Sequence, residues 1–229
     1  MPSEFLRSRL TASEIALALR EGLHIGDHAF DALLPNDSRT ASMRFWSPVK
    51  VASMAAHWLE MHGAQRVLDV GAGSGKFCVI AALITDLVVE GIEQRPHLVE
   101  QARALAADLG VADRVKFTCA ALEATTLEDY DALYLYNPFC EAGYDRLQWL
   151  DESLELAPDS AARDVARIEA ALDAMPIGGQ LVTYHGFGGR LPDTFELLHS
   201  WSFGGGSLRC WQNARPGPST SRLFDGDWA

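Results

Sequence analysis

The chain predicts an α/β fold, a doubly wound and mostly parallel sheet with helices on both faces, preceded by a helical cap. Three observations carry this expectation. From residue 66 onward, short apolar runs alternate with longer amphipathic stretches. The first run ends in a glycine-rich turn, Asp69-Val70-Gly71-Ala72-Gly73-Ser74-Gly75, which opens into a helical pattern. Residues 1–44, by contrast, show helical periodicity without strand-like runs.

The elements follow in order. Helical patches span Glu4 to Leu10 and Ala12 to Gly22, the second with Ile15, Leu19 and Leu23 on one face. Gly26-Asp27 and Pro35-Asn36-Asp37-Ser38 break the pattern. Ser47 as N-cap and Pro48 in the first turn start a helix whose buried face is Val51, Met54, Ala55, Trp58 and Leu59. Then come strand 66–70, helix 75–83, strand 87–92, helix 96–109, and strands 114–118 and 131–136. Helix 160–174, strand 179–184, helix 191–199 and a strand over 207–212 complete the series. Residues 213–229, rich in Pro, Gly, Ser and Thr, read as a tail. The organisation expected is a cap over 1–44, a main domain over 45–212 and a tail over 213–229.

Composition narrows the function. Hydrophobic content of 48% and a mean hydropathy of −0.01 describe a globular chain, read as cytoplasmic and without membrane contact. The net charge of −12 argues against gripping long nucleic acid by its phosphates, and suits a small molecule or a protein segment as partner. Cys78, Cys119, Cys140 and Cys210 show no Cys-x-x-Cys spacing, so buried free thiols are expected and no metal. His24 and His28 are four apart, but Gly26 between them disfavours a helical metal pair.

The glycine turn is the most specific motif. Alternate glycines remove side chains that would bar a ligand from the backbone. Lys76 occupies the place of the third glycine of the dinucleotide fingerprint, and Val70 and Phe77 break a phosphate-loop pattern. The stretch Asp69-Val70-Gly71-Ala72-Gly73-Ser74-Gly75 resembles the first motif of the class I S-adenosylmethionine-dependent methyltransferases. That resemblance implies a seven-stranded sheet with its last strand, here 207–212, inserted antiparallel. It also implies S-adenosylmethionine as cofactor, with Asp69, Gly71, Ala72, Gly73 and Gly75 around it. Glu93 ends the next strand, 18 residues after Gly75, where a carboxylate accepts from both ribose hydroxyls; Gln94 follows it. Glu90 lies three residues too early for that role. Ala120-Ala121 stands where many family members have Gly-Asp, so adenine would rest on Ala121 and Leu122, with Glu123 as a compensating acceptor.

Two strand ends carry candidate chemistry. Tyr134-Leu135-Tyr136-Asn137-Pro138-Phe139 resembles the Asn-Pro-Pro-aromatic motif of methyltransferases acting on planar nitrogens, with one proline fewer. The resemblance implies that Asn137 and Pro138 accept from the target N–H, that Phe139 stacks on it, and that Asn137 touches the cofactor. Asn-Pro is also a plain turn signal. His185, after strand 179–184, reads either as a general base or as a turn histidine. Trp46, in Arg44-Phe45-Trp46-Ser47-Pro48, either folds over the cofactor or staples the helix behind it. The chain is accordingly read as a methyltransferase with a nitrogen acceptor. The alternatives are an oxygen acceptor served by His185, and a non-catalytic cofactor-binding module.

Overall fold

The computed structural model describes residues 10–214, apart from 155, 157 and 204. The expected patch at Glu4 to Leu10 lies, but for Leu10, outside the described residues, as does the tail beyond residue 214. Four helices come first: α1 (Ala12–Arg20), α2 (Asp27–Asp31), α3 (Asn36–Phe45) and α4 (Val49–Met61). The alternating series follows: β1 (Arg66–Val70), α5 (Lys76–Ile84), β2 (Val88–Glu93), α6 (Pro96–Asp108), β3 (Val115–Cys119) and β4 (Ala132–Leu135). Helix α7 (Pro158–Ala174) leads to β5 (Gln180–Tyr184), β6 (Phe195–Phe203) and β7 (Gly206–Asn213). The described strands form one seven-stranded sheet in the order β3-β2-β1-β4-β5-β7-β6. Strands β1 to β5 pair in parallel, and β7 lies antiparallel between β5 and β6.

Strand periodicity sorts the core into two layers. Val67, Val89, Ala132, Tyr134 and Val182 face α4, α5 and α6, while Leu68, Val70, Leu133, Leu135 and Leu181 face Ile168 and Leu172 of α7. Helix α5 is buried from Lys76 to Leu83, because it is covered by the sheet on one side and by α1, α4 and α6 on the others. Phe77 stacks on Tyr134 with ring centroids 3.7 Å apart.

The cap is fastened to α5 by an ion cluster around one buried lysine. Lys76 Nζ donates to Asp27 Oδ1 and Asp31 Oδ1, each at 2.7 Å, with the lysine side chain 2% exposed. The Asp27 carboxylate also accepts from the Val49 N–H at 2.8 Å, capping α4. This explains Lys76: a cation in the first turn of a helix opposes the macrodipole, and two carboxylates from α2 offset that cost.

Three expectations are corrected. Ser47 does not cap α4; its hydroxyl pairs with the Tyr134 phenol at 2.7 Å, and Asp27 takes over the cap. The breaks expected at Gly26 and Pro35 are present, and the same two residues are the N-caps of α2 and α3. Residues 191–199 do not form a helix. The spacing of Leu191, Phe195 and Leu198 fits a helical face, yet Phe195–Phe203 pairs with β7 as an edge strand. A register shift between Leu197 and His199 leaves both Leu197 and Leu198 partly exposed, which erases the two-residue alternation. Nor are all the thiols buried: Cys78 and Cys210 are, Cys140 is half-buried and Cys119 is exposed. Among the described helices none is long and apolar enough to cross a membrane.

Lys76→Met should destabilise the protein by about 3 kcal/mol, the lower end of the cost of stranding a buried charge. Urea unfolding followed by circular dichroism checks this, and a loss below about 1 kcal/mol would show that Asp31 is not stranded.

Candidate functional site

The carboxyl ends of β1, β2, β4 and β5 open onto a cavity of about 1090 Å³. A smaller bay of about 210 Å³ adjoins it, and the two share Gly71, Glu93, Arg95, Pro138, Phe139 and Glu141 as walls. An open parallel sheet places ligands at this edge, where strand order reverses between β1 and β4.

Glu93 stands at the junction. Its Oε2 accepts from the Gly73 N–H at 3.1 Å and its Oε1 from the Arg95 N–H at 2.9 Å. Burial raises its pKa, and the backbone donors and the Arg95 charge pull it back. Each oxygen retains a lone-pair site beyond these bonds. Gln94, Ala121, Leu122 and Glu123 line the smaller bay. Glu90 lies on neither wall and instead holds Lys116, Thr118 and Tyr130.

Gly71 lines both spaces, but Asp69, Ala72, Gly73 and Gly75 line neither. The glycines have backbone φ of +74°, +54° and +78° at positions 71, 73 and 75. A side chain at Gly73 would run into the Trp46 ring, and one at Gly75 into Ala102 and Phe117 at 2.7 Å. The sequence reasoning, that the missing side chains make room for a ligand, is therefore corrected. At these two positions the room is taken by the protein itself. Trp46 is 7% exposed; its Nε1–H donates to the Ser38 carbonyl at 2.7 Å, and its ring lies against Gly73 and lines the cavity. Asp69 lies beneath the loop, where its Oδ2 accepts from the Cys78 thiol at 3.2 Å. Burial pushes the Asp69 carboxyl up to about 7, the thiol bond opposes this, and the nearby Glu93 charge adds to it.

Asn137 and His185 end neighbouring strands β4 and β5 and both line the large cavity. They are the two non-glycine residues among those described with a left-handed backbone, φ +42° and +63°. Such conformations cost about 1–3 kcal/mol each and gather at functional sites. The Asn137 N–H donates to the Gly186 carbonyl at 3.2 Å, so the two turns support each other. The buried Asn137 Oδ1 has no hydrogen-bond partner. Three other buried side-chain atoms share that state, on Ser74, Gln180 and Asn213, and none of those residues lines the cavity. The His185 ring covers Gly206 and meets Tyr184 and Tyr136 at 4.3 and 5.7 Å between centroids. Partial burial lowers its pKa, which leaves it neutral at pH 7.

Sequence reasoning missed Arg95 and Glu141. Arg95 is 6% exposed; its Nη2 donates to Glu141 Oε1 at 3.0 Å and its Nε to Asp151 Oδ1 at 3.1 Å. The guanidinium thus ties the end of β2 to the segment after β4. The signal available was the arginine two residues after Glu93, which by itself names no partner.

Residues 61–153 match the family model described as a methyltransferase domain. Similar proteins include the 23S rRNA (uracil(1939)-C(5))-methyltransferase RlmD of Shewanella amazonensis, 33% identical over 141 residues, 56% of this chain and 31% of that one. The 27-O-demethylrifamycin SV methyltransferase of Amycolatopsis mediterranei is 31% identical over 121 residues, 52% of this chain and 40% of that one. The chain thus spans less than half the length of these relatives. Among solved structures, an RNA methyltransferase from Salinibacter ruber in complex with S-adenosyl-L-homocysteine superposes with a TM-score of 0.52 at 19% identity. That overlap covers 77% of this chain and 99% of the other. The fold is that of the class I methyltransferases, with the expected antiparallel seventh strand in place.

Two measurements test this geometry. Gly73→Ala should lower stability by about 2 kcal/mol through its left-handed backbone, and by more through the Trp46 contact; a Trp46→Ala background should recover only the second part in urea unfolding. Asp69 binds its proton more tightly folded than unfolded. Its contribution to stability is therefore fully present below the ordinary carboxylate range and is lost as pH rises through about 7. Asp69→Asn should flatten the decline in stability between about pH 4 and about pH 7, and an unchanged decline would contradict the shift.

Proposed function

We propose, from the match of residues 61–153 to a methyltransferase domain, that the protein methylates a nitrogen acceptor from S-adenosylmethionine. The observation that carries the acceptor is the buried, unpartnered Asn137 Oδ1 on the cavity wall. An acceptor oxygen without a donor costs about 1–3 kcal/mol, and an N–H from a ligand removes that cost. The left-handed backbone of Asn137 supports the same reading, because it is strain spent on aiming one side chain.

The residues present suit the donor. The Glu93 carboxylate at the junction of the two spaces has acceptor capacity for a ribose diol, and Ala121 and Leu122 give the smaller bay an apolar wall for adenine. Gly71 and Pro138 line both spaces, and a side chain at Gly71 would meet the Pro138 ring at 3.2 Å. The donor supplies an activated methyl carbon, which the acceptor lone pair takes as the carbon–sulfur bond breaks and its electron pair stays on sulfur. Asn137 holds the acceptor N–H so that the lone pair faces that carbon. Pro138 adds a second carbonyl at the same strand end, and Phe139 offers a ring beside it. Alignment of this kind is the main task of the protein, since the donor is already activated.

A second reading rests on His185. Neutral at pH 7 and on the same wall, it is fit to take a proton from a hydroxyl acceptor. The net charge of −12 no longer excludes RNA, because relatives of this chain are named as rRNA methyltransferases. Residues 10–44 are proposed to support the acceptor space, since the α3 end supplies Met43, Arg44 and Phe45 to its wall.

Glu93→Ala should weaken S-adenosylhomocysteine binding by about 1.5–3 kcal/mol in isothermal titration, and unchanged binding would refute the ribose role. Asn137→Ala should slow methyl transfer by about 10²-fold with cofactor affinity nearly unchanged. The assay is transfer of radiolabelled methyl to fractionated protein, RNA and small molecules. A mild Asn137→Ala together with a dead His185→Ala would replace nitrogen by oxygen.

A further inference from the structure

The large cavity has two ends of opposite character. Glu93 and Glu141 are the carboxylates that line it, and both are engaged by Arg95 at the cofactor end. The far wall is aromatic and cationic. Arg44 lies over the rings of Tyr144 and Phe45, 4.4 and 5.2 Å from their centroids. The Tyr136 phenol donates to the Arg44 carbonyl at 3.4 Å, and its ring reaches toward His185 at 5.7 Å. Arg209, on β7 opposite Thr183, lines the same space. In a chain of net charge −12, Arg44 brings a cation to this end, which favours an anionic group on a ligand.

We infer that the acceptor is a small planar aromatic carboxylate, its ring against Phe45, Tyr136 and Tyr144 and its acid group on Arg44. Aromatic walls favour a flat ligand through offset stacking. An arginine held flat by two rings presents its remaining N–H groups as a fork, which matches a carboxylate. The walls close around a cavity of the size usual for small ligands, about 300–1,000 Å³, once the cofactor takes its share. An RNA acceptor needs several cations along its backbone, and this rim supplies Arg44 and Arg209. The inference rests on the reading of this cavity as the acceptor space of a methyltransferase. It holds for either a nitrogen or an oxygen acceptor.

The test uses the full chain saturated with S-adenosylhomocysteine and titrated with aminobenzoates, hydroxybenzoates, the matching benzamides and the matching cyclohexane acids. The aromatic acids should bind at least roughly tenfold tighter than the amides, the scale of a charged hydrogen bond. The saturated-ring acids should bind more weakly than the aromatic ones. Arg44→Gln should remove the acid-over-amide preference while S-adenosylhomocysteine affinity stays constant, and Arg44→Lys should restore part of it. Tyr136→Leu should reduce the preference for the flat ring, and Tyr136→Phe should retain it. Equal binding of acids and amides, or a preference that survives Arg44→Gln, overturns the inference. So does methyl transfer to a short RNA transcript with none to any aromatic acid. If S-adenosylhomocysteine itself does not bind, the methyltransferase reading fails first; if it binds and the acids show no preference, only this inference fails.

Discussion

The pairing of Lys76 with Asp27 and Asp31 is the constraint on which the site depends. Lys76 opens the helix that follows the glycine turn, and Asp27 also caps α4. One buried ammonium therefore fixes the start of α5 against α2 and α4. Trp46 lies in the short link between α3 and α4, and its position over Gly73 follows from where α4 begins. The loop, the tryptophan wall and the Arg44–Phe45 rim are then placed together. Buried ion pairs are poor sources of net stability, because desolvation offsets the attraction. Here the cluster joins α2, the start of α4 and the start of α5 at one point.

Most of the fold was legible in the sequence, and the reasons are local. The central strands are buried on both faces and read as continuous apolar runs, and each helix after them carries its own period. Strand β6 was illegible because an edge strand with a register shift has neither a continuous apolar run nor clean alternation. Its identity comes from β7, which lies after it in the chain. Helix starts at Gly26 and Pro35 were missed because the same residues mark turns and caps.

The site was legible in position more than in cause. Glu93, Asn137 and His185 do come to one cavity, as their strand-end spacing implied. The glycines were in the right place for another reason: Gly73 yields to Trp46 and Gly75 to Ala102 and Phe117, contacts between residues far apart in the chain. Arg95 was invisible because both of its acidic partners lie about fifty residues further on, in a segment with little regular structure.

The link between β5 and β6 crosses the sheet without a helix, on residues 185–194 with left-handed glycines at 186 and 188. Elsewhere in this sheet a return to a parallel strand passes through a packed helix or a long segment, whose length is dictated by the layer it covers. This link forms one wall of the large cavity, and its central part carries the buried Phe187 and the Arg190 N–H, which donates to Glu169 of α7. Lengthening it at 188–190 changes the shape of that wall without shifting any strand register, since loop closure grows only slowly with length. The link is therefore the position at which a designer can graft a longer loop while keeping the cofactor end intact.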